Sequence, residues 1–312
     1  MERPLASQAS IDVGQIVGTS FRIYRRRWRP HLVAAAAAQL PALIPTLVLM
    51  NLLVESMFAA VRSGSPEVVV PILFQSAALL GVAFLSTFLF VLMSGAACQL
   101  VADWLDEKPV SVVGAYVVAG RKFWRLAGAM LGVFAIALGA LFALWAFLAL
   151  YYLTFLVVLP IQFGIEGPDR AWLIIPSVLI AVLGGIVLTD ALVRWSVFVQ
   201  AVIVEDRGPM EALKRSAELV RHNWWRTLGA MALLAFVPLL LMMVVTAVVN
   251  LLLLVVVYLG VGSSELANSV AIAVAQVVLS PVPAIGVTIL FYRLRDGSGI
   301  WERIESRSRE TG

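Results

Sequence analysis

The chain has 312 residues, 61% apolar and 13% charged, with a net charge of +4. A soluble domain carries about 25% charged and 45–50% apolar residues, so this composition excludes a soluble enzyme, a nucleic-acid-binding domain and a disordered chain. Uncharged runs reach 40 residues (Leu126–Ile165), whereas a helix needs only about 20 apolar residues to cross a bilayer core. The sequence therefore reads as an all-α integral membrane protein.

In chain order, the first element is an amphipathic segment over 11–29. Val13, Val17, Phe21, Tyr24 and Trp28 recur at steps of four and three, opposite Arg22, Arg26 and Arg29, which is the helical period. A first span follows over 31–61 with Pro41 and Pro45 as kink sites, then a second over 68–102. Residues 110–125 form a second amphipathic segment, with Ser111 as its expected N-cap. The third span covers 127–160, with Tyr151, Tyr152, Phe155 and Phe163 as an interfacial aromatic belt. The fourth covers 172–204 and contains Asp190 and Arg194, four residues apart. A third amphipathic segment runs over 209–226, with stripe Met210, Leu213, Ala217, Val220 and Trp224 and expected pairs Glu211–Arg215 and Glu218–His222. Spans five and six cover 228–260 and 266–292, and Pro160, Pro238, Pro281 and Pro283 are further kink sites.

Twenty of the 23 Lys and Arg residues fall before span one, between spans two and three, between four and five, or after span six. The positive-inside rule places these segments, and both termini, in the cytoplasm. The expected location is a bacterial inner membrane, with the first span retained as an uncleaved helix.

The same dipeptide closes each amphipathic segment: Trp28-Arg29, Trp124-Arg125 and Trp225-Arg226, at spacings of 96 and 101 residues. This predicts six transmembrane helices as three parallel repeats, each an amphipathic interfacial helix plus two spans. The units are 1–105, 106–205 and 206–294, with a tail over 295–312. Together the interfacial helices would make a basic, Trp-rich collar: Arg25, Arg26, Trp28 and Arg29; Arg121, Lys122, Trp124 and Arg125; Lys214, Arg215, Arg221, Trp225 and Arg226. Such a collar attracts anionic lipid head groups or a membrane protein partner. The alternative is that it only anchors and orients the spans.

The stretch Val202–Arg226 has the pattern Glu-x-x-Gly-Pro-x-x-Ala-Leu-x-Arg-Ser-x-x-Leu-Val-x-x-x-x-Trp-Arg. It resembles the membrane domain found with some bacterial glycerophosphoryl diester phosphodiesterases and its stand-alone relatives, and the segment around Phe21-Arg22-Ile23-Tyr24 is similar to that family's opening helix. In the family the chemistry belongs to a separate soluble barrel of ~250 residues with a His and carboxylate metal site. The resemblance thus implies a membrane-embedded module near phospholipid metabolism; it does not imply phosphodiesterase activity here.

No HExxH, GxSxG or P-loop occurs. The nearest approach to a rhomboid-type Gly-x-Ser-Gly is Leu92-Met93-Ser94-Gly95, and the carrier-type Pro-x-Asp/Glu-x-x-Lys/Arg signature is absent. The expectation is a non-enzymatic protein with no catalytic residues, metal or cofactor. Charges inside a span cost at least about 2.5–3.5 kcal/mol each. Asp190 and Arg194 are therefore either a structural pair facing the bundle or a polar site in a path for a small solute or lipid. Gln39, Gln75, Gln99, Gln200, Asn250 and Gln276 suit interhelical hydrogen bonds, and Gly128, Gly132, Gly184, Gly185 and Gly229 suit close helix packing. Cys98 reads as a small buried apolar residue.

Overall fold

A computed structural model describes residues 13–63, 69–154, 170–258, 264–297, 299–300 and 302–304. The elements are α1 (Val13–Arg26), α2 (Trp28–Ser63), α3 (Val69–Leu105), α4 (Val112–Arg121), α5 (Phe123–Leu153), α6 (Arg170–Arg194), α7 (Phe198–Val204), α8 (Pro209–Arg221), α9 (Trp224–Tyr258), α10 (Ser264–Leu279) and α11 (Pro281–Asp296). No strand occurs among the described residues. Among the described residues, six apolar stretches have the length to cross a membrane: α2, α3, α5, α6 with α7, α9, and α10 with α11. Pro160, Phe155 and Phe163 lie outside the described residues.

The long helices pair as hairpins, α2 with α3, α5 with α6 and α9 with α10. The core lies at the end of the bundle that carries the basic segments. Burial in α3 runs from Val91 to Leu105, in α5 from Leu126 to Met130, and in α11 almost throughout. Farther along, side chains such as Phe74, Leu80 and Phe142 point outward, as a surface facing hydrocarbon requires. The sixth stretch is the central one: most of its apolar length is enclosed by protein, whereas that of the third is not.

Two expected spans are interrupted. The fourth breaks at Trp195–Val197, between α6 and α7. There Ser216 of α8 donates its hydroxyl to the Arg194 carbonyl (2.7 Å) and accepts from the Val197 N–H (3.3 Å). A side chain inserted into the ladder satisfies the freed backbone groups and allows the bend. Ser216 is fully buried, so Ser216→Ala strands both groups. We expect a loss of about 1–3 kcal/mol, read as a lower melting temperature of the purified protein in detergent. The sixth span breaks at Ser280, because Pro281 and Pro283 lack amide donors. Nearby carbonyls are recovered by side chains: the Tyr24 phenol donates to Val278 O (2.8 Å) and Ser280 Oγ to Val277 O (3.3 Å). Pro41, Pro45 and Pro238 stay inside continuous helices.

The amphipathic helices differ from expectation in two ways. They end at Arg26, Arg121 and Arg221, so each Trp-Arg dipeptide lies in the first turn of the following long helix. Their apolar faces also meet protein. Ile16, Val17, Ser20 and Ile23 bury α1, which packs on α9 and α11. Ala212, Leu213, Ser216 and Val220 bury α8 against α5, α6 and α7, while Met210 stays exposed. An apolar stripe marks only the side that avoids water; here much of the apolar phase is the bundle itself. Ser111 caps α4 as expected, accepting from the Gly114 N–H (3.2 Å).

Left-handed backbone among the described residues occurs at Glu107, Asp206 and Gly297 (φ 65°, 56° and 69°). Each closely follows the end of α3, α7 or α11, and each is preceded by an acid: Asp106, Glu205 and Asp296.

Candidate functional site

The basic end carries three junctions where a short helix turns into a long one. At the α8–α9 junction a groove of about 630 Å³ is lined by Asp190, Arg194, Arg221, His222, Trp225 and Arg226, among others. Arg194 Nε meets Asp190 Oδ2 at 2.7 Å, with side-chain exposures of 52% and 38%. The pair therefore opens into this groove and is not enclosed by the bundle. Arg221 and Arg226 are exposed and have no ion-pair partner among the described residues. Trp224 and Trp225 stack edge to face, 4.6 Å between centroids, and Trp225 is 78% exposed. Three guanidinium groups against one carboxylate leave a positive groove with an amphipathic aromatic rim.

The α1–α2 junction holds a second groove, about 600 Å³, lined by Phe21, Arg22, Tyr24, Arg25 and Trp28. The Arg29 guanidinium lies 5.5 Å from the centre of the Trp28 ring, a cation–π distance. Arg26 faces a separate cavity of about 360 Å³ with Arg27 and Trp104.

The α4–α5 junction is filled from within. Lys122 Nζ reaches Asp206 Oδ1 at 2.9 Å and donates to the Ile203 carbonyl at 2.9 Å, capping α7 at its negative end. Arg125 Nη1 takes the same Asp206 oxygen at 2.8 Å and the Asp206 carbonyl at 3.0 Å. Arg121 and Trp124 remain exposed. The Lys122 hydrogen bond and charge, with help from Arg125, hold the Asp206 carboxyl below its ordinary 3.8. A depressed carboxyl stabilises the fold fully above its unfolded value and loses that contribution as pH falls through the folded one. Wild type should thus melt above Asp206→Asn at neutral pH, and the gap should close on acidification below about pH 4. A gap that stays constant down to pH 3 would contradict the clamp.

Arg215 is also spent inside the protein, on Glu205 (3.1 Å) and, more loosely, on Glu218 (3.8 Å), while Lys214 is exposed. The expected Glu211–Arg215 pair is not made, because Glu211 turns back to accept from the Gly208 N–H (3.4 Å). Lys122, Arg125 and Arg215 are therefore cations already paired with carboxylates of the protein, and the exposed ones without such a pair are Arg25, Arg29, Arg121, Lys214, Arg221 and Arg226. Sequence reasoning separated Arg194 from Arg221 and Arg226. Only the break after Arg194 brings them together: Arg194 ends α6 and Arg226 lies in the first turn of α9, and both line the same groove. Of the amides, Gln39 reaches Ser280 and Gln200 reaches Thr288 across helices. Gln99 and Asn250 instead bond within their own helices, to Asp103 and the Thr246 carbonyl.

Six apolar helical stretches and this basic, aromatic end define the class as an all-α, multi-pass membrane protein. Comparisons with protein-family models, curated proteins and solved structures found no match.

Proposed function

We propose that this is a non-enzymatic membrane module whose basic end faces the cytoplasm of a bacterial cell and engages the phosphate of anionic lipid. The observation that carries the reading is the α8–α9 groove, where Arg194, Arg221 and Arg226 converge beside Trp225. Guanidinium groups match phosphate geometry with paired hydrogen bonds, and Trp favours the head-group level of a bilayer. The Lys122–Arg125 site supports the chemistry by analogy, since it already holds an anion, the Asp206 carboxylate.

The three-repeat reading, with units 1–105, 106–205 and 206–294, belongs to the same proposal. Its support is the short helix before each of α2, α5 and α9, and the acid followed by left-handed backbone at 106–107, 205–206 and 296–297. The likeness of Val202–Arg226 to the phosphodiesterase-associated membrane domain fits a setting in phospholipid metabolism. Transport of a small solute or lipid past Asp190 and Arg194 is the competing reading. The half-exposed position of that pair in an open groove favours head-group contact.

Native mass spectrometry of the purified protein tests this. Wild type should retain anionic phospholipid, and a folded Arg194→Gln/Arg221→Gln/Arg226→Gln variant should lose it. Equal retention by both would sink the proposal and turn attention to flux assays on Asp190 and Arg194 variants.

A further inference from the structure

The α8–α9 groove carries more unbalanced charge than one phosphodiester neutralises. Of its lining residues, Asp190, Arg194, Arg221 and Arg226 are charged, while His222, Asn223, Trp224 and Trp225 are neutral at pH 7. Arg194 is already paired, its Nε meeting Asp190 Oδ2 at 2.7 Å. Arg221 and Arg226 are exposed and have no ion-pair partner among the described residues. Two guanidinium charges therefore face one groove without a counter-charge.

Anionic head groups differ in the charge and the oxygens they bring. The phosphodiester of phosphatidylglycerol carries a single negative charge and two free oxygens. A phosphate monoester carries about −1.5 to −2 at pH 7, because its second proton leaves near pH 6, and it presents three acceptor oxygens. A guanidinium binds best to a pair of oxygens. Three oxygens offer two guanidinium groups different pairs, whereas the two of a diester offer only one. The charge and the donor geometry of Arg221 and Arg226 thus both favour the monoester.

We propose that the α8–α9 groove selects a phosphate monoester over a phosphodiester, with Arg221 and Arg226 taking different oxygen pairs of one dianionic phosphate. This rests on the phosphate-binding reading above and names the class of ligand. The Trp225 ring, 78% exposed at the rim, suits the head-group level of a bilayer. It favours the lipid source, phosphatidate, over a soluble phosphate ester.

The test titrates the full-length protein in detergent with dioleoylphosphatidate, dioleoylphosphatidylglycerol or cardiolipin, at pH 8 and at pH 5. His222→Gln is the background throughout. It removes the groove's imidazole and leaves Asp190, Arg194, Arg221 and Arg226 as its charged groups. At pH 8 phosphatidate should bind about fivefold tighter than phosphatidylglycerol, the gain of roughly one further charge. At pH 5, where the monoester keeps one proton, the preference should shrink to about twofold or less. Cardiolipin, whose two phosphates are diesters, should show no such pH dependence. The preference should vanish in Arg221→Gln/Arg226→Gln, and glycerol phosphate at the concentration of the lipid should not displace phosphatidate. Equal binding of phosphatidate and phosphatidylglycerol at pH 8, or a preference unchanged at pH 5, would overturn the selectivity. Displacement by glycerol phosphate would overturn the lipid source. The comparison of lipids needs no arginine variant, so it decides the matter if the double variant fails to fold. None of these outcomes touches the broader reading. That reading fails if the folded double variant holds all three lipids as tightly as its parent.

Discussion

Replacing Arg221 and Arg226 together by glutamine should weaken binding of phosphatidylglycerol by about thirtyfold. Each basic side chain near an anionic surface contributes about 1 kcal/mol, and 1.4 kcal/mol is a factor of ten. Both side chains are exposed in the α8–α9 groove, and neither has an ion-pair partner among the described residues, so the attraction is lost without stranding a carboxylate. Arg125→Gln is the informative comparison. Its Trp-Arg dipeptide matches Trp225-Arg226 in sequence, but its guanidinium already holds Asp206 at 2.8 Å. That change should leave lipid affinity unaltered and show instead as weaker acid-sensitive stability. The measurement is a titration of head-group-labelled phosphatidylglycerol into the detergent-solubilised protein at two salt concentrations. The wild-type affinity should fall with salt and the double variant should respond less, because screening acts on exposed charge. Equal losses for Arg125→Gln and the double variant would mean that the groove has no special role.

This contrast shows what the sequence could and could not convey. Six uncharged runs, with the basic segments at alternate boundaries, dictate six spans and a basic end, because the bilayer admits few other solutions. The amphipathic period of Val13–Arg26 is equally plain. The period does not say which apolar phase receives the stripe, and Ile16 and Ile23 turn out to face α9 and α11. Equivalent arginines also look equivalent on paper. Whether one is free depends on a carboxylate about 80 residues away, placed by the left-handed turn at Asp206. Likewise the break in the fourth span is made by Ser216, on another helix, where no breaker such as Pro or Gly announces it.

The glycines separate in the same way, and they carry the second large effect. Gly286→Val should destabilise the protein by about 3 kcal/mol, at the upper end of ordinary overpacking. Gly286 lies in α11, the most enclosed helix. A Cβ built there overlaps the methyl groups of Leu234 on α9 and comes within 3.0 Å of its Cγ. Leu234 is 1% exposed and is packed in the main core, so it has nowhere to swing. Leu234→Ala alone should cost about 2–5 kcal/mol through the cavity it leaves. The two changes together should cost less than their sum, because the added valine methyls occupy part of that cavity; contacting residues couple by about 0.5–3 kcal/mol. Gly185 on α6 provides the opposite sign. Nothing lies within 4 Å of a Cβ built there, so Gly185→Ala should be neutral or stabilising by up to about 1 kcal/mol through helix propensity. Melting temperatures of the four variants in one detergent would read all of these. Simple additivity of Gly286→Val and Leu234→Ala would show that α9 and α11 do not meet at this point, and with it the central place of α11 in the bundle would fall.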